Sequence, residues 1–163
     1  MSEVARKKEV TIALMFLTAF LVIVLDRITK VASFNNMSEG QSIPILQNVF
    51  HLTLVKNKGI AFGLFRDNLQ LWSSLALSAM GLALVYVVYR RKNDYLTAVS
   101  SALIAGGTIG NLFDRVRFGH VIDFLDFRVW PVFNVADSSI TIGAALLAWS
   151  IAVRSNIKNQ ISK

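Results

Sequence analysis

The chain has 163 residues, 54% hydrophobic and only 17% charged, with a mean hydropathy of +0.53. Soluble domains carry about 25% charged residues, so this balance excludes an ordinary water-soluble fold and points to one membrane-embedded domain over 1–163. The lack of cysteine excludes a disulfide framework, a thiol nucleophile and a cysteine metal site; the net charge of +7 lies in short basic clusters beside apolar runs, which fits membrane flanks better than a nucleic-acid surface.

Residues 1–10 are polar and basic, and 11–25 are apolar without a break. A cleavable signal peptide would need a small-residue cleavage site next; DRITK stands there instead. The spacing therefore predicts a retained transmembrane helix over 11–31, about the 20 residues that a bilayer core requires. Residues 32–68 form an extracytoplasmic insert. Within it, VFHLTLV (49–55) alternates in the period-2 pattern of a strand lying on the bilayer, with Gly40 and Pro44 punctuating its approach. NKGIAFGLF (57–65) follows, a short apolar segment expected to dip into the interface as a short helix. Further spans are predicted over 69–89, 95–113 and 133–153, with the basic turn RRKND between the second and third. The expected fold class is an all-α membrane protein, with four transmembrane helices and a small β-containing cradle outside the membrane.

Four spans place both termini on one side. Nine of the 17 lysines and arginines then lie on that side, too even a split to orient the chain by count. The clusters Arg6–Lys8 and Arg90–Lys92 flank spans directly, as orientation signals do, and make the termini cytoplasmic. Asp26, Asp114, Asp123 and Asp137 then face outward.

Charge concentrates in 106–140, where four aspartates and three arginines stand between apolar runs. An ionisable residue costs roughly 2.5–3.5 kcal/mol at the centre of a membrane helix, so such groups are functional candidates. Asp123 and Asp137 are 14 residues apart. Singly, Asp137 fits a helix N-cap and Asp123 a partner for Arg115. Together in a low-dielectric site, two carboxylates share a proton; the ionised one can activate water and the protonated one can donate to an amide. Asp26 and Lys30, at i and i+4, suit a local ion pair or a support for the site. Asn57, Asn111 and Asn134 suit caps, or donors to a substrate or a carboxylate. His51 and His120 read as surface or turn residues. Competing constellations are a Mg²⁺ site of Asp114, Asp123, Asp126 and Asp137 acting on a lipid pyrophosphate, a Ser–Lys peptidase using Ser138 or Ser139 with Lys30, and an ion-coupled transporter. The first lacks a close acid cluster, the second a nucleophile turn and the third an internal repeat.

Five stretches, in order, resemble the motifs of lipoprotein signal peptidase, also called signal peptidase II. They are DRITK (26–30), NKGIAFG (57–63), GGTIGNLFDR (106–115), HVIDFLDF (120–127) and FNVADSSI (133–140). Arg27 stands where a neutral glutamine is common in that family, and Ile60 where alanine is common. The resemblance implies an aspartic peptidase of the bacterial inner membrane that needs no metal or other cofactor. It would cleave a diacylglyceryl-modified prolipoprotein on the amino side of the lipidated cysteine, work among membrane lipids, and be blocked by the cyclic depsipeptide globomycin. Asp123 and Asp137 would be its dyad. Asn57, Gly59, Asn111, Asp114, Arg115, Asn134 and Ala136 would line or support the site, with Asp26 and Lys30 behind it.

Overall fold

The computed structural model describes residues 2–58, 78–79, 81–82, 86 and 94–161. Gly59, the expected interfacial helix and most of the expected span over 69–89 lie outside the described residues. The elements are α1 (Glu3–Asn36), β1 (Ser42–Leu46), β2 (Phe50–Asn57), α2 (Tyr95–Phe118), β3 (Val121–Asp126) and α3 (Val135–Ile161). Three helices among the described residues are long and apolar enough to cross a membrane.

α1 begins at Ser2, whose hydroxyl accepts the Ala5 N–H at 3.3 Å. Its 34 residues span about 51 Å at 1.5 Å each, well beyond a bilayer core of about 30 Å. The expected 11–31 was therefore only its apolar middle; the polar ends continue the same hydrogen-bond ladder. Phe16, Leu17, Phe20, Leu21, Leu25 and Ile28 are exposed along it, the surface a span presents to lipid. α2 also runs past its expected end at 113, to Phe118, where Gly119 adopts the left-handed conformation (φ 71°) and returns its N–H to the Arg115 carbonyl at 3.0 Å.

α2 is the central helix: 56% of its apolar window is buried, against 17% for α1 and 28% for α3. Small residues allow this. A side chain at Gly107 would collide with the Ala136 carbonyl, and one at Gly106 would come within 2.9 Å of the Ala19 carbonyl. Backbone thus meets backbone on both sides of α2, as small residues permit in membrane helix packing.

The three strands form one antiparallel sheet in the order β1-β2-β3. β2 matches the period-2 expectation, shifted to Phe50–Asn57. β1 and β3 were not expected as strands: β1 contains Pro44, and β3 lies in the charge-rich stretch and is buried at all but one position. The β2–β3 register pairs Val55 with Asp123 and Asn57 with Val121. Beyond β3 the chain folds back, and Phe133 pairs with Leu125 in an isolated bridge. That bridge brings the start of α3 beside the middle of β3.

Candidate active site

Asp123 lies within β3 and Asp137 in the first turn of α3. Asn134 joins them. Its amide nitrogen donates to Asp123 Oδ1 at 2.7 Å, and its amide oxygen accepts the Asp137 N–H at 2.9 Å. Asp137 Oδ2 accepts the Asn134 N–H in return, at 3.3 Å. This is a reciprocal capping box. Asn134 is the cap, correcting the expectation that Asp137 fills that position. Because the backbone N–H of Asp137 must meet an oxygen, the cap fixes which end of the Asn134 amide faces Asp123.

Each carboxylate has a second amide. Asn57 stands two residues along β2 from the partner of Asp123, a diagonal neighbour on the same face, and donates to Asp123 Oδ2 at 2.9 Å. Asn111, on α2, donates to Asp137 Oδ1 at 2.7 Å. Asp123 is 2% exposed. Burial pushes its carboxyl up to about 7; Asn57 and Asn134 pull downward, while the charge of Asp137 adds to the rise.

Behind the pair lies a buried charge cluster. The Lys30 ammonium, fully buried, contacts Asp26 Oδ2 at 2.8 Å, Asp114 Oδ2 at 2.9 Å and Asn111 Oδ1 at 2.9 Å. Its contact with Asn111 leaves that amide's NH₂ group directed at Asp137. Asp26 Oδ1 accepts the Ala136 N–H at 2.9 Å, placing a carboxylate at the positive end of α3. The pair expected at i and i+4 is thus real, and it also reaches both α2 and α3. Gly110 makes room for it, since a side chain there would come within 2.7 Å of Asp26. Arg27, at the rim of this cluster, donates from its guanidinium to Asp114 Oδ1 at 3.0 Å and lies over the Phe113 and Phe118 rings.

Other expected groupings do not come together. Asp126 accepts from the Thr53 hydroxyl at 2.7 Å and from the Arg128 backbone and side chain. Burial alone would raise its carboxyl, but these donors outweigh burial and hold it below the usual carboxylate range. Asp114 belongs to Arg27 and Lys30, so the four aspartates do not converge as a Mg²⁺ site requires. Ser138 and Ser139 donate their hydroxyls to helix carbonyls and Lys30 is held elsewhere, so no Ser–Lys pair forms. Arg115 makes no ion pair within 4 Å among the described residues, though its charge acts on Asp137, Asp123 and Asp114. His120 bonds the Phe118 carbonyl and His51 the Ser42 hydroxyl rather than Asp123 or Asp137.

Sequence reasoning missed the aromatic wall beside Asp137. Phe127 and Phe133 stack at 5.8 Å, and together with Trp130 they border a cavity of about 450 Å³ that ends at Asp137. Its signal was the spacing of aromatics at 127, 130 and 133.

The family model described as signal peptidase (SPase) II matches residues 18–153. A lipoprotein signal peptidase of Halothermothrix orenii is 44% identical over 134 residues, covering 82% of this chain and 92% of that protein. One from Moorella thermoacetica is 40% identical over 135 residues, covering 83% and 90%. A bacterial membrane enzyme solved by the in meso method at 2.3 Å superposes with a TM-score of 0.77 at 28% identity, over 89% of this chain and 90% of that one. A second, at 1.9 Å, gives 0.75 at 28% identity, over 84% and 91%. With a matching model over most of its length and two relatives at 40% identity or more, the chain belongs to the signal peptidase II family.

Proposed function

We propose that this protein is an aspartic endopeptidase of the bacterial inner membrane. It removes the signal peptide from diacylglyceryl-modified prolipoproteins, on the amino side of the lipidated cysteine. The observation that carries this reading is the single amide, Asn134, that holds Asp123 and Asp137 to one another.

Asp137 is the base. It lies in the first turn of α3, where its carboxyl accepts one N–H from the Asn111 amide at 2.7 Å and the Asn134 backbone N–H at 3.3 Å. Asp123, pushed up to about 7, is the acid. Asp137 takes a proton from a water molecule, and the water oxygen attacks the scissile carbonyl. Asp123 gives its proton to the carbonyl oxygen as the tetrahedral intermediate forms. The C–N bond then breaks as the nitrogen gains the proton that Asp137 had taken, while one hydroxyl of the intermediate returns a proton to Asp123, leaving a carboxylic acid, an amine and the dyad in its starting state. No covalent enzyme intermediate is needed.

The termini are cytoplasmic and the carboxylates lie under the outer leaflet. Arg6 and Asp26 are 20 residues apart on α1, about 30 Å along the helix, so the basic flank and the acidic cluster stand at opposite ends of a span. The substrate's acyl chains can then enter sideways from the bilayer. The test is cleavage of precursor with and without the diacylglyceryl group, in detergent. Cleavage of the modified form alone, unaffected by EDTA and blocked by globomycin, is expected; loss of activity with EDTA would favour metal chemistry.

A further inference from the structure

The cavity beside Asp137 has one wall of aromatic rings, Phe127, Trp130 and Phe133. Its other wall is one face of α3, formed by Ser138, Thr141 and Ile142. Both hydroxyl protons are already committed: Ser138 donates to the Asn134 carbonyl and Thr141 to the Asp137 carbonyl, each at 2.9 Å. A peptide strand lying here would find the Trp130 indole N–H as its one side-chain donor, and burying the remaining carbonyls unpaired is costly. A signal-peptide helix has its backbone satisfied, but it is about 10–12 Å across, so about 450 Å³ holds no more than one turn. An acyl chain carries no polar group and is thin enough for the slot. The groove is also continuous with the bare apolar face of α3, where Ile142 is 54% and Trp149 67% exposed, so its occupant arrives from the bilayer.

We propose that this groove is the seat of one acyl chain of the substrate's lipid, an inference that rests on the peptidase reading. Seating the chain against Asp137 ties recognition of the lipid to the position of the adjacent peptide bond. The groove then acts as a ruler for chain length, separate from the chemistry at the carboxylates.

The test compares precursors carrying dibutanoyl and dipalmitoyl glyceryl groups on wild type, Ile142→Trp and Trp149→Ala. Ile142→Trp fills the groove from a position that already faces lipid; Trp149→Ala changes the same helix outside it. Wild type should favour the long chains through KM. Ile142→Trp should raise KM for the dipalmitoyl precursor about tenfold, the worth of roughly two buried methylenes, with kcat unchanged and the dibutanoyl precursor unaffected. Trp149→Ala should match wild type. The proposal is overturned if Ile142→Trp slows both precursors equally, which would place peptide in the groove, or if it slows neither. Wild type that cleaves neither precursor overturns the peptidase reading and this inference with it.

Discussion

Replacing Lys30 with methionine tests how the charged cluster supports the site. Met keeps the length of the stem and removes the ammonium. That ammonium is fully buried and stands within 3 Å of two carboxylates, Asp26 at 2% and Asp114 at 1% exposure. Removing one partner of a buried ion pair costs about 3–5 kcal/mol, because the other charge is left uncompensated. Here the two acids differ: Asp114 retains Arg27 at 3.0 Å, whereas no other cation among the described residues pairs with Asp26. Lys30→Met should therefore cost about 3–5 kcal/mol, most of it through Asp26. Adding Asp26→Asn should recover much of that loss, since asparagine can still accept the Ala136 N–H without a charge; adding Asp114→Asn should recover less. Unfolding of the four proteins in one detergent gives the free energies. Cleavage measured below every transition should show lower kcat with little change in KM, because Asn111 loses the contact that aims its NH₂ group at Asp137. A Lys30→Met protein within about 1 kcal/mol of wild type, or a double variant no more stable than the single, would refute the reasoning.

Two further outcomes follow from the same geometry. As pH rises through about 7, Asp123 ionises and the acid is lost, so kcat/KM should fall; Asn57→Ala removes a donor that favours the ionised form and should move that fall to higher pH by about one unit, read from pH–rate profiles. Gly107→Ala should lower stability by about 1–3 kcal/mol in detergent unfolding and slow cleavage, since the new methyl group presses on the Ala136 carbonyl next to Asp137.

Much of this arrangement was legible in the sequence, but unevenly. The catalytic candidates stood out because aspartates beside apolar runs are expensive, and the five motifs pointed to Asp123 and Asp137 among them. α1 and α2 were found but cut short, because an apolar window marks where lipid is, while a helix ends only where a cap such as Gly119 stops it. β3 was hidden because Asp123 and Asp126 interrupt its apolar pattern; only pairing with β2 and the donors from Asn57, Asn134 and Thr53 make those buried acids tolerable. The partner of Arg27 was hidden for a related reason: Asp114 stands 87 positions away, and only the fold brings it within reach.

The account stands on Asp123 and Asp137 acting as one unit. Its most direct test is single-turnover cleavage of a diacylglyceryl-modified precursor by Asp123→Asn, Asp137→Asn and the double variant, each first shown to be folded in detergent. Loss of cleavage to background in both single variants, with no further loss in the double, is the expected result. Near wild-type cleavage by either single variant would contradict the account.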